Sequence, residues 1–240
     1  MNSPFTLQPT PTADAEARLE RLSADSSTGT WHDITANGNN GTALLRVGAS
    51  WIPYPSTLVD FYFNEAGKNA NEIVDLANTN SACDPTASFT ITCWAKNLSA
   101  AGDNVVLLAT RQETNSSNGW KLQDFPIANP NPDYEWVSTN AASSAFGPLL
   151  PQNIGTGWAF FALTWQPGTP NIVNGYADGA LFGTVNPGAF DATTQPLRLF
   201  RGLYTGNSWT GYLDTVRVYG RILSPDEILR DYHAGKPAHP

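Results

Sequence analysis

The chain has 240 residues, of which 14% are charged and 11% aromatic, with 20 Gly and 18 Pro; this suits short strands joined by many turns rather than helices rich in Glu, Lys and Ala. A net charge of −8 provides no basic stripe to displace counterions, which excludes a nucleic-acid backbone as partner. The longest apolar run, Trp158–Trp165, is far short of the roughly 20 residues of a membrane-spanning helix, which excludes membrane insertion by that route.

A chain of this length is ordinary for one large all-β domain. Residues 1–29 read as an N-terminal arm, with extended or turn-like Ser3-Pro4, Pro9-Thr10-Pro11 and Ser26–Gly29 flanking Ala13–Leu22, which has the composition of a short helix. An arm this polar needs something to lie against, either its own domain or a neighbouring subunit. Met1–Thr12 has no basic residue and no apolar core, so it does not read as a secretory signal, and the expected setting is a cytoplasm. Cys83 and Cys93 are the only cysteines. His32, His233 and His239 show no ligand spacing with them, which argues against a zinc site; a disulfide between the two is geometrically conceivable, but without a signal they are expected as reduced thiols.

The domain proper spans 30–240. Trp31-His32-Asp33 is followed by the turn former Asn37-Gly38-Asn39-Asn40-Gly41. Strands are then expected around Val59–Phe63 and over Ile73–Leu76. In Ser88–Lys96 a period of two places Phe89, Ile91, Cys93 and Ala95 on one face and Thr90, Thr92 and Trp94 on the other. Val105–Ala109 and Gly119–Gln123 read as strands, and Phe125–Trp136 as a long proline-rich loop leading into the strand Tyr134–Val137. Trp158–Trp165 is apolar on both faces, as a doubly covered central strand would be. Asn171–Gly183 is a hairpin whose Asp178-Gly179 suits a type I′ turn. Pro196–Gly202 is a further strand.

The stretch Gly211–Tyr219 reads as the last strand. Leu213 and Val216 are three apart, so burying both requires a bulge. Ser224-Pro225-Asp226-Glu227 is a capping box with Pro at the first helical position. Ile228, Leu229 and Tyr232 would form the apolar face of the helix, and Gly235 with Pro237 would end it.

The run Gly211-Tyr212-Leu213-Asp214-Thr215-Val216-Arg217-Val218-Tyr219-Gly220-Arg221-Ile222-Leu223-Ser224-Pro225-Asp226-Glu227-Ile228 resembles the closing signature of the laminin-G-like, concanavalin A-like lectin and glucanase jelly rolls. Phe89-Thr90-Ile91 with Trp94, Trp158 with Thr164-Trp165, and Tyr176 with Asp178-Gly179 are similar to further anchors of that family, in its order. The resemblance runs from about Trp31 to Gly235. It implies a two-sheet antiparallel jelly-roll sandwich with a short C-terminal helix.

Some relatives of this architecture are glucanases, whose catalytic carboxylates come from a Glu-x-Asp-x-x-Glu strand; the sequence has no such run. Asp14 with Glu16, in the arm, and Asp133 with Glu135 are its only Asp-x-Glu pairs, and it has no Gly-x-Ser-x-Gly. The expectation is therefore a protein that is not an enzyme. The resemblance implies one structural Ca2+ held by Asp214 and a carbonyl near Gly67. Tyr134, Trp136, Tyr204 and Trp209 stand beside Asn131, Asp133 and Asn207, as aromatic and hydrogen-bonding groups of a glycan site would. The family occurs in bacteriophage structural proteins and in secreted carbohydrate-binding modules. The leading expectation is a virion component made in the host cytoplasm, a capsid decoration or tail adhesion protein. Its arm would contact other virion proteins in an oligomeric assembly, and its loops a cell-surface glycan. A carbohydrate-binding module of a secreted, extracellular bacterial protein is the alternative.

Overall fold

The computed structural model describes residues 15–20, 30–33, 41–44, 61–63, 73–76, 83, 86–97, 106–109, 119–124, 133–139, 144–151, 157–187, 197–199 and 211–238. The strands are β1 (Ala15–Glu20), β2 (Thr30–Asp33), β3 (Gly41–Leu44), β4 (Phe61–Phe63), β5 (Ile73–Leu76), β6 (Phe89–Asn97), β7 (Val106–Ala109) and β8 (Gly119–Asp124). They continue with β9 (Asp133–Thr139), β10 (Ser144–Pro151), β11 (Ala159–Gln166), β12 (Ile172–Ala177), β13 (Ala180–Val185), β14 (Leu197–Leu199) and β15 (Gly211–Tyr219). Helix α1 (Pro225–Gly235) and a 3₁₀ turn (Lys236–Ala238) follow.

Every recorded pairing is antiparallel. Sheet A runs β13-β12-β11-β6-β15-β1-β2, with β4 pairing the other end of the β15 edge that β1 uses. Sheet B runs β3-β5-β14-β7-β8-β9-β10, and β2 joins the two by pairing with both β1 and β3. Strand β10, at the far edge of sheet B, lies against β12 and β13 of sheet A. The two sheets therefore close as a jelly-roll sandwich, as expected.

Register explains why sheet A is apolar on both sides. Phe161 faces Cys93, Leu163 faces Ile91 and Trp165 faces Phe89, whereas Phe160, Ala162 and Thr164 face Trp94, Thr92 and Thr90. The first set points into the sandwich, where Phe89 stacks on Trp120 of sheet B (5.8 Å between centroids) and on Trp165 (6.4 Å). The second set is also buried, because α1 lies across that outer face. Trp94, Phe160, Ala162, Tyr176, Tyr219, Leu223 and Ile228 form one cluster, with Trp158 and Tyr232 packed against it. The long both-sided run of β11 thus has a physical cause in two separate cores. Both cysteines are buried and neither is in a disulfide, and burial pushes the Cys93 thiol up to about 12, which keeps it neutral.

The local signals at the chain's end are realised. The Ser224 hydroxyl accepts from Glu227 N (3.3 Å) and Glu227 Oε2 accepts from Ser224 N (2.8 Å). Asp178 and Gly179 take φ of 50° and 82° in the β12–β13 turn, both positive as type I′ requires. The expected bulge falls between Asp214 and Arg217, with Thr215 at φ 48°.

Three expectations are corrected. The composition of Ala13–Leu22 suggested a helix, but Ala15–Glu20 is strand β1 between β15 and β2; ladder bonds to two neighbours outweigh a weak helix preference. Strand β10 was not anticipated, because Pro148 and Pro151 argue against a central strand; it is an edge strand bulged between Pro148 and Leu150, where proline is tolerated. On α1 the buried face is carried by Ile228 and Asp231, with Tyr232 half-buried, while Leu229 is exposed. Gly235 is the last helical residue and the chain continues into the 3₁₀ turn. Its lack of a side chain serves packing, since a Cβ there would collide with the Trp94 ring. The Asn37–Asn40 turn, and the arm apart from 15–20, lie outside the described residues.

Candidate ligand-binding surface

The outer face of sheet A carries most of the described polar chemistry. Arg217 on β15 faces Thr92 across the ladder and reaches up to α1, where Nη1 lies 3.2 Å from Asp231 Oδ2. The Tyr219 hydroxyl donates to the same oxygen at 3.2 Å. All three side chains are buried, and Arg217 Nε, Asp231 Oδ1 and Thr92 Oγ1 have no hydrogen-bond partner. Burial pushes the Asp231 carboxyl up, against the opposing pull of Arg217 and Tyr219. Nearby, the Thr90 hydroxyl donates to Arg221 O (2.8 Å) and accepts from Leu223 N (3.0 Å), fixing the turn that launches the helix.

At the helix start Arg221 grips Glu227 with two bonds, Nη1 to Oε2 at 3.0 Å and Nη2 to Oε1 at 2.8 Å. That grip, chiefly, holds the Glu227 carboxyl down at about 2, from an ordinary 4.5. A depressed carboxyl stabilises the fold fully above pH 4.5, and the benefit is lost as pH falls through about 2. Because the pair is partly exposed, its worth is about 1 kcal/mol. Glu227→Gln should therefore melt about 3 °C below the parent at pH 6, with the gap closing near pH 2. A gap that persists at pH 2 would mean the cap, not the charge, is responsible.

The sequence-derived site residues are distributed unevenly. Asp214 faces Trp94 across the ladder beside the bulge. The bulge lies directly beside this carboxylate residue, and carboxylate plus carbonyl oxygens is a donor set that calcium accepts. Among the described residues no three His, Cys, Asp or Glu gather as a metal cluster. Tyr134 and Trp136 are two apart on β9, facing Asp124 and Leu122 of β8 in register. Gly67, Tyr204 and Trp209 lie outside the described residues, as do Asn131 and Asn207. The structure therefore brings Tyr134 and Trp136 together on one strand and puts Asp214 in the other sheet. The buried Arg217–Asp231 pair was missed in the sequence. Its signal was there: Asp231 falls three positions after Ile228, in the helix's apolar stripe. No helix among the described residues is long and apolar enough to cross a membrane.

No curated protein matches the sequence. Among solved structures, the chain is similar to the binding domain of Paraclostridial Mosquitocidal Protein 1, at 12% identity and a TM-score of 0.65 over 92% of this chain and 52% of that one. It is similar also to the binding domain of botulinum neurotoxin DC in complex with rat synaptotagmin II, at 15% identity and a TM-score of 0.63 over 92% and 51%. The same neurotoxin domain in complex with SialylT matches at 13% identity and a TM-score of 0.62 over 93% and 52%. The chain thus spans about half the length of these domains, and at such identities the likeness is one of fold. The sequence itself matches the model of the concanavalin A-like lectin/glucanases superfamily over residues 68–229. That match covers more than half of the chain, including the apolar strand β11, the type I′ hairpin and the capped start of α1, and the chain belongs to this superfamily.

Proposed function

We propose that the chain is a non-catalytic recognition domain, one that presents a surface to other macromolecules rather than acting on a substrate. What carries this reading is the use made of three carboxylates among the described residues. Asp178 accepts from Phe160 N at 3.0 Å, Glu227 is held by Arg221 and Ser224, and Asp231 by Arg217 and Tyr219. Each is committed to holding a turn or the helix in place, which leaves it poorly placed to shuttle protons for a substrate. The fold is also one that binding domains use: the similar domain of botulinum neurotoxin DC is found in complex with rat synaptotagmin II and with SialylT.

For this chain the ligand in this reading is a cell-surface glycan, met by the aromatic faces of Tyr134 and Trp136, with Tyr204 and Trp209 as further candidates. A structural calcium at Asp214, completed by a carbonyl near Gly67, would stiffen the β15 bulge. The setting proposed is a bacteriophage virion, as a capsid decoration or tail adhesion protein whose arm contacts neighbouring subunits. A secreted bacterial carbohydrate-binding module is the second reading, favoured by the likeness to toxin binding domains.

The first test is a glycan array on the 240-residue chain. Any glycan bound should lose about tenfold in affinity for each of Tyr134→Ala and Trp136→Ala, without a change in melting temperature. Turnover of a labelled oligosaccharide would overturn the non-catalytic reading. Calcium at a hundredfold excess over its dissociation constant should raise the stability by about 2.7 kcal/mol, and Asp214→Asn should abolish the gain. A truncation that stops before Ala15 spares β1. It should block incorporation into particles if the virion reading holds, and leave glycan binding intact if the module reading holds.

A further inference from the structure

Among the described residues, three buried side-chain atoms have no hydrogen-bond partner: Thr92 Oγ1, Arg217 Nε and Asp231 Oδ1. All three fall in one place under α1. Thr92 is 0% exposed, Asp231 1% and Arg217 6%. Thr92 and Arg217 are ladder partners on β6 and β15, so their Cβ atoms stand about 5 Å apart on the outer face of sheet A. Asp231 meets Arg217 from the helix, but not side-on. Its Oδ2 takes both bonds, from Arg217 Nη1 and from the Tyr219 hydroxyl at 3.2 Å each, and its Oδ1 takes none. A buried polar group without a partner is costly, and native folds seldom leave one, let alone three at a single point.

We infer that one internal water is bound between β6, β15 and α1, bonded to Thr92 Oγ1, Arg217 Nε and Asp231 Oδ1. The mixture of groups identifies the ligand. A cation would face the Arg217 guanidinium and an anion the Asp231 carboxylate, whereas water both gives and takes hydrogen bonds. It accepts from Arg217 Nε, donates to Asp231 Oδ1 and shares a third bond with the Thr92 hydroxyl, which is the number a buried water typically makes. The packing suits something this small. Across the sheet Thr92 has Ala162 of β11 on its other side, and both side chains are short. The large rings of Trp94 and Tyr219 belong to the cross-strand rows before and after, so α1 rides at their height over a low spot at Thr92. One water needs about 10–15 Å3 there. It extends the polar anchorage of the helix from β15 to β6, independently of what the domain recognises.

A crystal structure of the 240-residue chain that orders internal waters tests this directly. It should show one peak within about 2.7–3.2 Å of Thr92 Oγ1, Arg217 Nε and Asp231 Oδ1. Thr92→Ser, which keeps the hydroxyl, should keep the peak. Thermal melting of Thr92→Val gives an independent sign. Where the hydroxyl bonds a water, its loss leaves that water short of a partner, and the variant should melt about 3 °C below the parent. Where the site is dry, the hydroxyl is an uncompensated buried group, and replacing it with a methyl should raise the melting temperature. Three atoms that bond one another directly, a parent with no peak between them, or a Thr92→Val variant that melts at or above the parent would each overturn the inference. Should Thr92→Val fail to fold, the parent and Thr92→Ser structures still decide it.

Discussion

Replacing Asp231 by Ala should cost about 3–5 kcal/mol, a fall in melting temperature of about 10 °C, although the ion pair it breaks adds little net stability. The two statements are compatible because the cost lies in what is left behind. Arg217 is buried under α1, and without Asp231 its charge faces the cluster of Trp94, Tyr219 and Ile228 with no counter-charge. In the intact protein the account is nearly balanced: burial raises the Asp231 carboxyl more than Arg217 and Tyr219 lower it, so the folded chain holds the ionised form at a penalty. A raised carboxyl contributes stability at low pH that is lost as pH rises through its folded value, the reverse of Glu227 on the same helix. The double variant Arg217→Met, Asp231→Leu should accordingly recover to within about 1 kcal/mol of the parent or exceed it. Chemical denaturation of the four proteins gives the coupling directly. Additive losses would show that the pair does not act as a unit.

Trp94→Ala should be comparably severe, about 3–5 kcal/mol, with the damage concentrated on α1. The indole is buried and lies 5.7 Å from the Tyr232 ring and 5.5 Å from that of Phe160, so it is the floor on which the helix rests. Gly235→Ala attacks the same contact from above, since its Cβ would come within 2.8 Å of Trp94 Cε2. Overpacking of this kind costs about 1–3 kcal/mol. Hydrogen exchange separates local from global effects: both variants should speed exchange in Ile228–Gly235 far more than in β11. Uniform acceleration across sheet A would mean that α1 and the sheet unfold together.

What the sequence made legible was whatever its chemistry encodes locally. The capping box of Ser224 and Glu227, the Asp178-Gly179 turn and the doubly apolar β11 each depend on residues a few positions apart. Even the bulge at Asp214–Arg217 followed from the three-residue spacing of Leu213 and Val216. Strand β1 was hidden because Ala and Glu prefer helix, and only the distant edge of β15 makes them a strand. Asp231 was hidden because a carboxylate reads as solvent-facing until Arg217, fourteen positions earlier, is placed beneath it. Sheet order was not legible at all, since strand neighbours are set by packing between remote segments. Of the candidate site, Tyr134 and Trp136 were correctly assigned to a strand, now β9, whereas the ligand itself depends on chemistry that one chain in isolation does not display.

The pairing of β1 with β15 also sets a timetable. Ala15 lies opposite Tyr219, so one of the first strands to leave a ribosome must wait for one of the last. At about 5–20 residues per second that wait is on the order of 10–40 s. Until then the sides of β6 and β1 that β15 will occupy are open to wrong partners. Closing so distant a pair is entropically slow, which places this chain among the late, non-local folders. Sheet A is thus completed only once β15 has been made, long after β1.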